Sequence, residues 1–255
     1  MIVGVSPDLP HIEELPPIRQ WSLRIAKRPV AWMFRLLWRV STHGEENVPR
    51  RGPVILAANH IGILDGPLLV AISHRLCFAL AKHELFTGAS GRIFSHVGQI
   101  AVNRREIDKR AISRSIQVLR SGKVLAVFPE GVRGSGEMTF AKGGAAYLAL
   151  VTGATIVPVA ILGTREAGQT AAQMPRRRSP IHVVYGEPIL VAQADWPRRK
   201  SLVAELTEQL RRRLADHVSV AQRQTGLPLP GPPKPRENKP RENKPRENKP
   251  RSVRP

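Results

Sequence analysis

Six short apolar runs, at 53–58, 76–81, 99–102, 124–128, 155–161 and 181–185, alternate along the chain with stretches of helical periodicity at 67–73, 107–121, 143–152 and 201–224. Apolar runs of roughly four to eight residues between turn residues are short for buried helices and fit strands covered on both faces. Strands that alternate with helices leave few architectures open. The pattern predicts an α/β fold, a mostly parallel sheet flanked by helices. In such a sheet ligands gather beyond the carboxyl ends of the strands, so the loops that leave the strands are where chemistry is expected. With 255 residues, 42% of them hydrophobic, the chain is long enough to bury a full core around one such sheet.

The predicted body runs from residue 41 to 226 and is flanked by segments of a different character. Residues 1–17 contain Asp8, Glu13 and Glu14 and no apolar run, which argues against a signal peptide. Residues 18–40 carry six basic residues, no acidic ones and three of the four tryptophans. They read as two short amphipathic helices separated by Pro29, with Ile18, Trp21 and Ile25 on one face of the first and Met33, Phe34, Leu36, Leu37 and Val40 populating the second. A helix of about 18 Å is too short for a bilayer core of about 30 Å. Tryptophan beside arginine and lysine suits a helix lying in the headgroup layer, so the expected location is peripheral or monotopic, on the cytoplasmic face of an anionic membrane. Residues 227–255 repeat the pentapeptide Arg-Glu-Asn-Lys-Pro three times from Arg236, with little apolar content after Leu229, and are expected to be a disordered, basic, proline-rich tail.

The net charge of +20 at first suggests a nucleic-acid partner. The tail contributes +6 of it, from nine basic against three acidic residues. No helix-turn-helix, zinc or ribonucleoprotein pattern accompanies the rest, and 5% aromatic content offers few stacking platforms. No nucleic acid is therefore expected, and a non-enzymatic basic module for membrane or nucleic acid is the alternative of a different class. A single cysteine, Cys77, excludes a disulfide framework and multi-cysteine zinc sites; it lies in an apolar run and reads as core. The histidines outside 60 form no metal-ligand spacing, so neither a metal nor a cofactor is expected.

Three of the strand exits carry the candidate chemistry. After the first run come Asn59, His60 and, five residues beyond the histidine, Asp65. On a continuous helix residues i and i+5 diverge by about 140°, so the two can pair only if 61–64 form a turn. A carboxylate folded back in this way holds one ring N–H of the imidazole and leaves the other nitrogen as a base. The third run exits through Asn103 and Arg104, and the fourth through Phe128-Pro129-Glu130-Gly131-Val132-Arg133-Gly134, with Lys142 and Gly143 opening the next helix. Cations beside glycine turns and a helix start make an anion site suited to phosphate.

These residues resemble those of the lysophosphatidic acid acyltransferase (1-acyl-sn-glycerol-3-phosphate acyltransferase) family of glycerolipid acyltransferases, with four motifs in the family's order. Asn59, His60 and Asp65 match the first motif, and Gly98, Ile100, Val102 and Arg104 the second. Phe128, Pro129, Glu130, Gly131 and Arg133 match the third, and Ile156, Val157, Pro158 and Val159 the fourth. Val132 and Gly134 stand where the family usually has a hydroxyl residue and a serine, and Asn103 where an aspartate is common.

The resemblance implies transfer of an acyl group from a thioester, acyl-CoA or acyl-carrier protein, to the free hydroxyl of lysophosphatidic acid, giving phosphatidic acid for phospholipid biosynthesis. Glycerol 3-phosphate, or another lysolipid or polar-lipid headgroup, is the alternative acceptor. His60 would act as general base, oriented by Asp65, while Arg104, Arg133 and Lys142, with Glu130 and Gly131, would form the acceptor phosphate site. Asn59, Gly98, Pro129 and Pro158 would support the motifs.

Overall fold

The computed structural model describes residue 15 and residues 21–86, 91, 99–103, 108–196 and 198–235. Seven strands form one sheet in the order β1-β7-β6-β2-β5-β3-β4. They are β1 (Arg39–His43), β2 (Val54–Ala58), β3 (Cys77–Lys82), β4 (Ile100–Val102), β5 (Val124–Val127), β6 (Thr155–Leu162) and β7 (Pro180–Tyr185). Strands β6, β2, β5, β3 and β4 are mutually parallel, whereas β7 runs antiparallel to β6 and pairs in parallel with β1. The mostly parallel sheet flanked by helices is thus present.

Among the described residues five long helices cover it: α1 (Trp21–Leu37), α2 (Asp65–Ile72), α3 (Lys109–Arg120), α4 (Gly144–Thr152) and α5 (Lys200–Thr225). The alternation of β2 shows how the two faces divide. Val54, Leu56 and Ala58 pack with Ala31, Phe34, Leu68 and Leu69 of α1 and α2. Ile55 and Ala57 point the other way, into a core shared with Ile116 and Leu119 of α3 and Ala145 and Leu148 of α4. Every β2 residue is buried, which is why this strand reads as a continuous apolar run. Along α5, Leu206, Leu210, Leu214, Val218 and Ala221 recur every three or four residues and form its buried stripe.

Three expectations need correction. The segment 18–40 does not form two helices split by Pro29: within the described residues α1 is continuous through it. Proline removes one N–H, here the donor to the Ile25 carbonyl, but both Pro29 and Ile25 are exposed, so water can take that carbonyl. The helical reading also ran too far, because 39–43 form the edge strand β1. Finally, the disordered tail does not begin at Leu227. Residues 227–235 follow the left-handed cap at Gly226 and pack back onto the body, with Leu227 and Leu229 against the core of Met138, Leu214 and Val218. The repeats from Arg236 onward lie outside the described residues, as do residues 18–20 of the first expected helix.

Candidate active site

The exits of β5, β2 and β6 are neighbours at the middle of the sheet, and around them His60, Asp65 and Glu130 come together. The chain leaves β2 at Ala58 and turns through 62–64 into α2, so that Asp65 folds back as its pairing with His60 requires. Asp65 Oδ2 stands 2.8 Å from His60 Nδ1 and also accepts the backbone N–H groups of Ile61, at 2.7 Å, and Gly62, at 2.8 Å. The imidazole stacks on Phe128, with ring centroids 4.3 Å apart. A carboxylate on Nδ1 fixes the ring so that Nε2 is the nitrogen able to take a proton.

The loop after β5 is laced to the same histidine through its backbone. His60 N–H donates to Glu130 Oε1 at 2.9 Å, and the His60 carbonyl accepts from Gly134 N–H at 2.8 Å. Burial pushes the Glu130 carboxyl up to about 7; the His60 N–H works against that rise, and the charges of Asp65 and Glu137 add to it. Gly131 turns the loop at a φ of +70°, and a Cβ there would lie 2.9 Å from Lys142 Cε. The lysine side chain therefore lies directly over this turn, while its backbone N–H donates to the Pro129 carbonyl at 2.8 Å.

Other expected residues have structural positions. The Asn59 amide donates to the Ile161 carbonyl at 3.0 Å and accepts the Ile161 N–H at 2.7 Å, fastening the exit of β2 to β6. Pro158 lies within β6 opposite Ala57, and its carbonyl accepts the Gly186 N–H at 2.8 Å. Arg133 directs Nη1 to the Ala171 carbonyl, 3.0 Å away, beyond the end of β6. Gly98 and Arg104 lie outside the described residues. Cys77 is buried in β3, and burial pushes its thiol up to about 12, so it is core.

Two residues of this site escaped the sequence reading. Thr164, fully buried, donates its hydroxyl to Asp65 Oδ1. Arg165, 2% exposed, donates Nε to the Ile61 carbonyl at 2.7 Å and Nη2 to the Gly134 carbonyl at 2.9 Å. Both follow the fourth matched motif at the exit of β6. Their position beyond a strand end was the available signal.

Residues 39–162 match the family model described as Acyltransferase. The chain resembles the 1-acyl-sn-glycerol-3-phosphate acyltransferases. It is 37% identical over 131 residues to the protein of that name from Borreliella burgdorferi, covering 49% of this chain and 52% of the relative. With the Bacillus subtilis protein of the same name it shares 26% identity over 179 residues, 69% of this chain and 87% of the relative. The chain thus spans about half the length of the first of these relatives. The crystal structure of the 1-acyl-sn-glycerophosphate acyltransferase PlsC from Thermotoga maritima superimposes with a TM-score of 0.60 over 79% of this chain and 78% of that one. At 23% identity the superposition shows the fold.

Proposed function

We propose that this chain is an O-acyltransferase that moves a fatty acyl group from a thioester, acyl-CoA or acyl-carrier protein, to the free hydroxyl of lysophosphatidic acid. The observation that carries the reading is His60 held through Nδ1 by Asp65 at the exit of the central strand β2. In this reading Nε2 removes the proton of the glycerol hydroxyl as its oxygen attacks the thioester carbonyl. The thiolate leaves, taking the proton from the imidazolium, and Asp65 stabilises the charge on the ring between the two steps. General-base help of this kind supplies roughly 10²–10⁴-fold, so positioning of the two substrates must supply much of the remainder. Lys142 above the Gly131 turn, Arg133 and, beyond the described residues, Arg104 are the cations assigned to the acceptor phosphate.

The proposed location is an anionic membrane surface. Among the described residues no helix is long and apolar enough to cross a membrane. Helix α1 nevertheless has two apolar faces. Leu23, Ala31 and Phe34 are buried, whereas Trp21, Ile25, Trp32, Met33 and Leu36 are exposed, with Arg24, Arg28 and Arg35 beside them. A folded helix that keeps an apolar stripe in water is suited to the headgroup layer.

The test is acyl transfer from labelled acyl-CoA to lysophosphatidic acid by the wild type and by His60→Ala. Loss of transfer in a variant that still unfolds in a single cooperative transition is expected; full activity in the variant would remove His60 from the chemistry. Glycerol 3-phosphate in the same assay separates the two acceptors.

A further inference from the structure

Four backbone carbonyls converge on one buried guanidinium. Arg165 Nε donates to Ile61, next to the proposed base; Nη2 donates to Gly134, at 2.9 Å, and to Gly231, at 2.5 Å; and Nη1 donates to Gln169 at 3.3 Å. Ile61 belongs to the loop after β2, Gly134 to the loop after β5, and Gly231 to the chain beyond α5. Gly134 itself donates its N–H to the His60 carbonyl at 2.8 Å. A planar fork with five donors can tie several segments at once in a way that the point charge of lysine cannot.

The segment beyond α5 is built to meet this fork. Leu229 N–H donates to Gln222 Oε1 at 3.0 Å, which fixes the chain as it leaves the helix. Pro230 is buried, and Leu229 approaches the loops so closely that a Cβ on Gly136 would lie 3.0 Å from its Cδ2. Further on, Lys234 N–H donates to the Gln169 carbonyl at 3.1 Å, and Thr170 and Lys234 form a parallel bridge. Between 227 and 235 the chain has five prolines, at 228, 230, 232, 233 and 235. Proline narrows the unfolded ensemble, so holding such a segment extended costs less entropy than for an ordinary linker.

We infer that Arg165 is a positioning residue for His60, and that residues 227–235 are a strap which, through the Gly231 carbonyl, completes the lock that holds the loops after β2 and β5 in register. This rests on the acyltransferase reading for its kinetic consequence, though not for its structural one. Arg165 does not touch substrate in this proposal. It acts by holding the Ile61 and Gly134 carbonyls, and hence the backbone on both sides of the histidine.

Four variants test the lock: Arg165→Met, truncation after Gly226, the two combined, and truncation after Pro235, which leaves the strap intact. Misplacing a reacting group by about 1 Å costs up to roughly 10²-fold, so Arg165→Met and the truncation after Gly226 should each lower kcat by about 10–100-fold. KM for both substrates should stay within about threefold, because the guanidinium holds the protein's own backbone and not the ground-state ligand. The combined form should fall no more than about twofold below the less active single form, since each change breaks the same lock. Truncation after Pro235 should keep kcat. Multiplied effects in the combined form, or a rise in KM with kcat unchanged, would overturn the proposal. Hydrogen exchange supplies the readout that does not depend on activity: peptides spanning 59–66 and 128–136 should exchange faster in Arg165→Met and after loss of the strap, while β5 keeps its protection. Unchanged exchange in both peptides sinks the lock whatever the kinetics. Absence of transfer by the wild type, with exchange responding as expected, sinks only the acyltransferase reading.

Discussion

Thr164 donates its hydroxyl to Asp65 Oδ1, the oxygen opposite the one that faces His60. The carboxylate is thereby held from two strand exits at once: β6 supplies Thr164, and the loop after β2 supplies His60 and the N–H groups of Ile61 and Gly62. Both Asp65 and Thr164 are fully buried, so no water can substitute for a lost partner without rearrangement. The orientation of the proposed base thus depends on a threonine on another strand exit, about a hundred residues away in the chain.

Replacing Thr164 by valine keeps the shape and removes the donor. A buried oxygen left unsatisfied costs about 1–3 kcal/mol. Thr164→Val should lose stability of that size in urea unfolding and lower kcat for acyl transfer, while Thr164→Ser recovers most of both. A valine variant as stable and as active as the wild type would show that Asp65 is fixed by its backbone donors alone.

How much of this was legible in the sequence follows from what each residue depends on. Strands β2, β3, β5 and β6 lie inside the sheet, so their buried faces imposed apolar runs that match the observed bounds within a residue or so. Strand β1 escaped because it is an edge: Arg-Val-Ser-Thr-His has one aliphatic residue and no fully buried one, and it abuts the helical pattern of α1. Pro29 has the chemistry of a helix break, whereas the outcome turns on whether the orphaned carbonyl faces water. His60 and Asp65 were legible because a local turn pairs them. Thr164, Arg165 and the strap were not, since they act on backbone carbonyls and on a carboxylate of distant segments, and such interactions impose no spacing rule. The proline-rich stretch from 227 has the composition of a disordered tail, although Leu227, Leu229 and Pro230 supply apolar surface that docks.

Glu130 makes stability depend on pH in a definite direction. Its carboxyl titrates at about 7 in the folded protein against 4.5 as an ordinary glutamate, mainly because burial disfavours the charged form. Between those values the folded state holds a proton that the unfolded state has released, so stability declines as pH rises from about 4.5 towards 7 and levels off above it. Glu130→Gln keeps an oxygen for the His60 N–H and removes the titration. Melting temperatures of the two proteins, compared from about pH 5 to 8, should diverge in favour of the glutamine variant as pH rises. A constant difference across that range would contradict the assignment.

Two glycines with left-handed backbones separate conformational strain from collision. At Gly122, with φ +66°, a Cβ would meet nothing within 4 Å, whereas a Cβ on Gly136, with φ +86°, would overlap Ile61 Cγ2 and crowd the Asn59 amide. Gly122→Ala should therefore cost about 1–2 kcal/mol, the strain of the left-handed conformation. Gly136→Ala should cost clearly more and also reduce turnover, because relieving the overlap moves the residues on either side of His60. Equal losses in urea unfolding would mean that the loops after β2 and β5 yield without resistance.

The exposed stripe of α1 makes the membrane proposal separable from folding. Trp21, Ile25 and Trp32 are each about two-thirds exposed, at 65%, 65% and 67%, so removing them leaves the core of Leu23, Ala31 and Phe34 intact. Surface substitutions of this kind change stability by no more than about 0.5 kcal/mol. The triple change Trp21→Ser, Ile25→Ser and Trp32→Ser should therefore melt like the wild type yet float with anionic liposomes much less than it does. Retaining the arginines Arg24, Arg28 and Arg35 in that variant leaves the electrostatic attraction in place, so residual binding should vanish at raised salt, where screening removes it. Undiminished flotation of the triple variant at raised salt would place the membrane contact elsewhere on the chain. If instead arginine-to-glutamine changes at 24, 28 and 35 abolish flotation while the triple variant does not, charge alone holds the protein at the surface and the tryptophans are bystanders.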